Sequence, residues 1–146
     1  MKPAPPEIRD AVARQLKDVA HSAEAERKRK RHFRQAFEVL HVSIGLPAAV
    51  FAGAATVTAL KDVSPNLIAA LAGVATVLSA AQLFLRPADR AAYNRDLEAE
   101  FGRLANDAKR TCEIDLISQG EDEAAKKLES YQKRFAELQR RIPLGR

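Results

Sequence analysis

Two long stretches without a formal charge constrain this chain more than anything else in it. Val39 to Leu60 and Leu67 to Leu85 contain no Asp, Glu, Lys or Arg, whereas the segments on either side are dense in all four. At 1.5 Å per residue the two runs extend about 33 and about 28 Å as helices, close to the thickness of a bilayer's hydrocarbon core. Both are apolar around the whole helix circumference, where a surface helix would keep one polar face. Their leucine, isoleucine, valine and phenylalanine residues favour insertion by roughly 2 to 5 kcal/mol per helix. Alanine is close to neutral, so the two are expected to enter as a pair. Lys61 to Asn66 supply the polar turn between them.

Composition hides this pattern. The 146 residues are 47% hydrophobic, enough for one soluble core, but the apolar residues are segregated into one block. The net charge of +5 would suit nucleic acid, anionic lipid or an acidic partner, so its placement decides between them. Arg27, Lys28, Arg29, Lys30, Arg31 and Arg34 stop directly before the first run. Arg86, Arg90 and Arg95 come after the second, and only Lys61 lies between. The excess of cations on one side predicts that both termini are cytoplasmic. Attraction of the basic run to anionic lipid, at about 1 kcal/mol per charge, accounts for it without nucleic acid. No apolar segment occurs before residue 39, so the membrane signal is expected to be internal.

The flanks read as helices. One is expected from Glu7 to Glu38, with Ile8, Val12, Leu16, Val19 and Ala23 on one face. Another begins after Pro87 and runs to about Ser118, with Tyr93, Leu97, Phe101, Leu104, Ala108, Cys112 and Leu116 at spacings of three and four. Gln119 and Gly120 mark a stop. A last helix carries Leu128, Tyr131, Phe135, Leu138 and Ile142 and ends at Pro143. The fold class expected is all-α: a transmembrane helical hairpin with long cytoplasmic helices forming a coiled-coil-like bundle. The organisation expected is a cytoplasmic helix over 1–38, spans over 39–60 and 67–85, an extracytoplasmic turn over 61–66 and a helical hairpin over 86–146.

Within the spans, Ala49 with Gly53 and Ala69 with Gly73 are small-xxx-small pairs that let helices approach closely, within the hairpin or between copies. Thr56, Thr58, Thr76 and Ser79 carry hydroxyls, which usually bond back to carbonyls of their own helix. The Gln82 amide cannot be satisfied that way, so Gln82, followed by Thr76 and Ser79, is the candidate for lining a pore. Pro47 is expected to kink the first span and to leave the carbonyl of Ser43 without its helical donor. Leu128, Tyr131, Phe135 and Leu138 are the candidates for assembly. The spacing of His21, His32 and His41 fits no metal site, the single Cys112 forms no intramolecular disulfide, and no arrangement of nucleophile and base or phosphate loop is present. The sequence therefore points to a non-enzymatic protein without a cofactor.

The order of a basic run with Arg31, His32 and Arg34, two Ala/Gly-rich spans, then Arg86-Pro87 and the segment with Tyr93, Asn94, Leu97, Phe101 and Leu104 resembles the SLATT domains, two-span membrane effectors of bacterial conflict systems. The resemblance runs from about Glu24 to Pro143. It implies a homo-oligomeric pore-forming effector of the bacterial inner membrane, acting in anti-phage defence by abortive infection. It also implies a nucleotide sensor or nucleotidyltransferase partner that supplies the trigger. Two other readings fit the same residues. One is a membrane-anchored helical scaffold without pore activity; the other is a soluble bundle that buries residues 39–85 at its centre.

Overall fold

The computed structural model describes residues 6–59, 64–115 and 121–142, all helical or in turns and without a strand among them. These residues form four α-helices in succession: α1 (Pro6–Ala59), α2 (Pro65–Leu85), α3 (Pro87–Arg110) and α4 (Glu121–Arg140), with a π-helical turn at Thr111–Asp115 after α3. The helix expected to end at Glu38 continues through it: α1 is a single helix of 54 residues. No glycine or proline occurs between Glu7 and Ile44 to interrupt it, and the charged and apolar halves both favour helix. Pro47 lies inside α1 without ending it. Of the turn expected over 61–66, residues 61–63 fall outside the described residues, as do the stop at 116–120 with Leu116 and Ser118, and Pro143; Pro65 and Asn66 already belong to α2, since proline suits a first helical position.

The junction of α2 and α3 is set by two adjacent residues. Pro87 is preorganised as the first residue of α3 and disfavours right-handed helical geometry at the residue before it. Arg86 leaves the helix for the left-handed region, at φ 43° and ψ 53°, as helix-ending residues often do, and its N–H caps α2 on the carbonyl of Gln82. A non-glycine residue there carries about 1 to 2 kcal/mol of strain.

The chain divides into two compact units. One contains residues 1–31 and 95–146, the other residues 32–94. In the first, α1, α3 and α4 meet through two apolar clusters. Ala23, Leu97, Phe101, Leu104, Ala105 and Leu138 form one, with Tyr131, Phe135 and Ile142 packed against it. Val12, Leu16, Ala124 and Leu128 form the other, flanked by Ala13, Cys112 and Tyr131. Phe101, Leu16 and Leu104 are the largest fully buried side chains, and the rings of Phe101 and Phe135 meet edge to face at 5.9 Å. Most of the stripe residues read from the sequence are thus surfaces that pack, whereas Tyr93 is exposed.

Near the end of α3 the helix widens into the π turn, whose extra residue shifts the face that points inward. Thr111 is brought to 2% exposure, and its hydroxyl lies 2.9 Å from that of Tyr131. Cys112, half-buried, directs its thiol to the carbonyl of Ala13 at 3.7 Å.

Candidate functional site

The unit over residues 32–94 contains both uncharged runs, and it buries little of them. Two helical stretches are long and apolar enough to cross a membrane. Only 11% of the most apolar window of the first is buried, and 6% of that of the second. Val39, Leu46, Val50, Val77, Leu83 and Phe84 all lie well exposed, Phe84 at 88%. A soluble helix pair would turn such side chains inward, since each large apolar residue left in water forfeits about 1.5 to 3 kcal/mol. The exposed surface of the two runs is therefore mostly apolar, with Thr56, Thr76 and Ser79 among it.

Inside the unit, α1 and α2 meet through small residues and one amide. Ala48 and Ala75 are buried, and the side chain of Gln82 donates from Nε2 to the carbonyl oxygen of His41 at 3.3 Å. Gly45, one turn on from His41, makes room for that amide: a Cβ built on it would collide with Nε2 of Gln82. The small-residue pairs read from the sequence lie elsewhere. Ala49, Gly53, Ala69 and Gly73 are all exposed, and a Cβ on either Gly53 or Gly73 would meet nothing within 4 Å. Packing within the unit is not what they serve.

The hydroxyls return to their own helices. Thr76 donates to the carbonyl of Ala72 at 2.8 Å, Thr56 to that of Ala52 at 3.0 Å, and Thr58 to those of Ala54 and Ala55. Ser79 and Thr76 are exposed, whereas Gln82 is half-buried. Thus the three pore-lining candidates do not share one state: two point outward, and Gln82 is engaged with α1. Toward the end of this unit the guanidinium of Arg90 sits over the ring of Phe37, 5.7 Å from its centroid, a cation–π contact.

Two further groups of candidates lie in or beside the first unit. Leu128, Tyr131, Phe135 and Leu138, the candidates for assembly, lie on the face of α4 that packs inside the chain. Leu128 and Leu138 are buried, and Tyr131 and Phe135 pack against the two clusters. A 3-4 apolar stripe marks a face that packs without saying against what.

The basic run likewise is not a uniform lipid-facing surface. Lys30 is buried, at 5% exposure. Burial pushes its amine below the usual lysine range, opposed by the nearby carboxylate of Glu26 and reinforced by Arg29. Arg27 is half-buried, pairs with Glu24 at 3.6 Å and lies against Gly102, where a Cβ would come within 3.3 Å of its Nε. Arg29 pairs with Glu26 at 3.9 Å and Arg34 with Glu38 at 3.5 Å. Lys28, Arg29 and Arg31 remain exposed. Among the described residues, no group of three or more His, Cys, Asp or Glu is placed to hold a metal ion.

Three features of the molecule are not evident from residue patterns alone: the Gln82–His41 bond with its Gly45 notch, the burial of Lys30 and the Thr111–Tyr131 pair. The second does leave a trace. Leu16, Ala23 and Lys30 recur every seven residues, so the buried face of α1 continues into the charged run. The chain matches no protein-family model, no curated protein and no solved structure.

Proposed function

We propose that this protein is a non-enzymatic membrane effector: α2 and the apolar half of α1 insert as a hairpin into the bacterial inner membrane with both termini in the cytoplasm. The observation that carries this reading is the exposure of the apolar runs, which their own unit leaves almost wholly uncovered. Lipid satisfies that surface without any further protein, and the helices satisfy their own backbone bonds. The cations flanking the runs, against the lone Lys61 between them, support the orientation.

Copies associate through the faces that carry Ala49, Gly53, Ala69 and Gly73. Their exposure, and the open space at both glycines, support this step, because close helix contacts in lipid depend on such residues. The assembly then conducts or disrupts the membrane when a nucleotide signal or a sensor partner favours the open arrangement. A ligand can drive the change only through better binding to that arrangement. The defence role and the partner rest on the resemblance to SLATT domains alone.

A second reading, a membrane-anchored scaffold without pore activity, is favoured by one observation. The hydroxyls of Thr56, Thr58 and Thr76 bond to their own helices and Gln82 bonds to α1, which leaves little polar lining. Purified protein in liposomes filled with dye separates the two. The effector reading expects leakage that rises with a nucleotide trigger; vesicles that stay tight under every trigger condition contradict it and leave the scaffold.

A further inference from the structure

Gln82 is the one carboxamide in either apolar run, and its surroundings are built around a single use of it. Nε2 reaches the carbonyl of His41, 41 residues away in sequence. The three atoms nearest to a Cβ at Gly45 all belong to the Gln82 side chain. The notch at Gly45 is thus filled by this amide. Any larger residue there would meet the far end of a flexible side chain and push it aside, while the backbones stay where they are.

We infer that Gly45 and Gln82 form a clasp between α1 and α2, in which the glycine is the positioning residue that holds the amide on the His41 carbonyl. The inference deepens the membrane reading and rests on it for the medium around the clasp. An amide in hydrocarbon must be bonded to something. While clasped, one N–H of the amide has its partner in α1; with a side chain in the notch, that N–H has to turn to water or to another helix. The absence of a side chain at Gly45 is thus what lets the Gln82 amide reach the His41 carbonyl.

The clasp is tested on the full chain in detergent micelles with 15N-labelled glutamine, the Gln82 side-chain signal being assigned by its loss in Gln82→Leu. The amide protons of Gln82 are expected to be protected from exchange in the parent protein. Exchange in Gly45→Ala should be roughly three- to fifteenfold faster, the range that interhelix hydrogen bonds in membranes hold. Thermal unfolding of the four proteins of a cycle supplies a second measurement: in a Gln82→Ala background Gly45→Ala should raise the midpoint, alanine being the better helix former, and with Gln82 present that gain should be cancelled or reversed. A Gly45→Ala protein that folds only in that background supports the clasp equally. Equal exchange rates in the parent and in Gly45→Ala overturn it. So does a loss on Gly45→Ala that persists without the amide, which would assign the glycine to some other neighbour. Leakage from vesicles bears on the pore reading separately, since exchange and the cycle give the same answer whether or not the protein conducts.

Discussion

Replacing one phenylalanine in each unit puts the contrast between a packed core and a lipid-facing surface on a quantitative footing. Phe101 is fully buried, sits among Ala23, Leu97, Leu104 and Leu138 and meets the ring of Phe135 at 69° between planes. Phe101→Ala removes an entire ring from a site that alanines on α1 and α3 cannot collapse to fill. The expected loss is about 3 to 5 kcal/mol, of which about 0.5 to 1.5 kcal/mol belongs to the edge-to-face pair. Phe84 is 88% exposed and has no core to leave, so Phe84→Ala should change the stability of the first unit by less than about 0.5 kcal/mol. Denaturant unfolding of the detergent-solubilised chain, followed by Tyr131 fluorescence in a Tyr93→Phe background, reads the unit that contains Phe101. A loss below about 1 kcal/mol for Phe101→Ala, or equal losses for the two variants, would refute the assignment of Phe101 to the core.

Two further outcomes are set by the polar groups of the same unit. The amine of Lys30 is held below its ordinary value of 10.5, so on the alkaline side the unfolded chain binds more protons than the folded one. Stability should therefore rise with pH from the folded value up to the unfolded one, and Lys30→Met should abolish that rise in unfolding curves measured across the window. Thr111→Val and Tyr131→Phe should each cost about 1 kcal/mol through the lost hydroxyl pair. The double variant should cost less than the sum of the two, as double-mutant unfolding would show.

Much of the architecture is legible in the sequence because its signals are physical and local. Uncharged runs of membrane length, all-round apolarity and flanking cations need no partner to be recognised. Leu97, Phe101 and Leu104 can be assigned to a packed face from their spacing alone. The length and direction of the flanking helices also let the last helix fold back onto their stripes, which is where Leu128 and Leu138 pack; the spacing does not tell whether the same stripe also serves assembly. A junction at residue 38 is misleading because a change in composition is not a change in backbone conformation: Glu38, Val39 and Leu40 are all compatible with helix.

The candidate site is less legible for a similar reason. Gln82 stands out in the sequence as an amide that needs a partner, but its partner is a carbonyl on another helix, and backbone groups leave no mark in a sequence. Counting equally back from Ala59 and forward from Pro65 places Gln82 opposite the turn that contains His41 and Gly45, so the register holds the missing signal. Lys30 reads as one more surface cation because its charge masks its seven-residue relation to Ala23. The π turn that buries Thr111 has no such signature.

The location of the apolar helices is the claim on which the rest depends, and fractionation of cells expressing the full chain tests it most directly. The protein should pellet with the membranes, stay there through a high-salt and alkaline wash and be released only by detergent. Recovery as a soluble species in plain buffer would contradict the account.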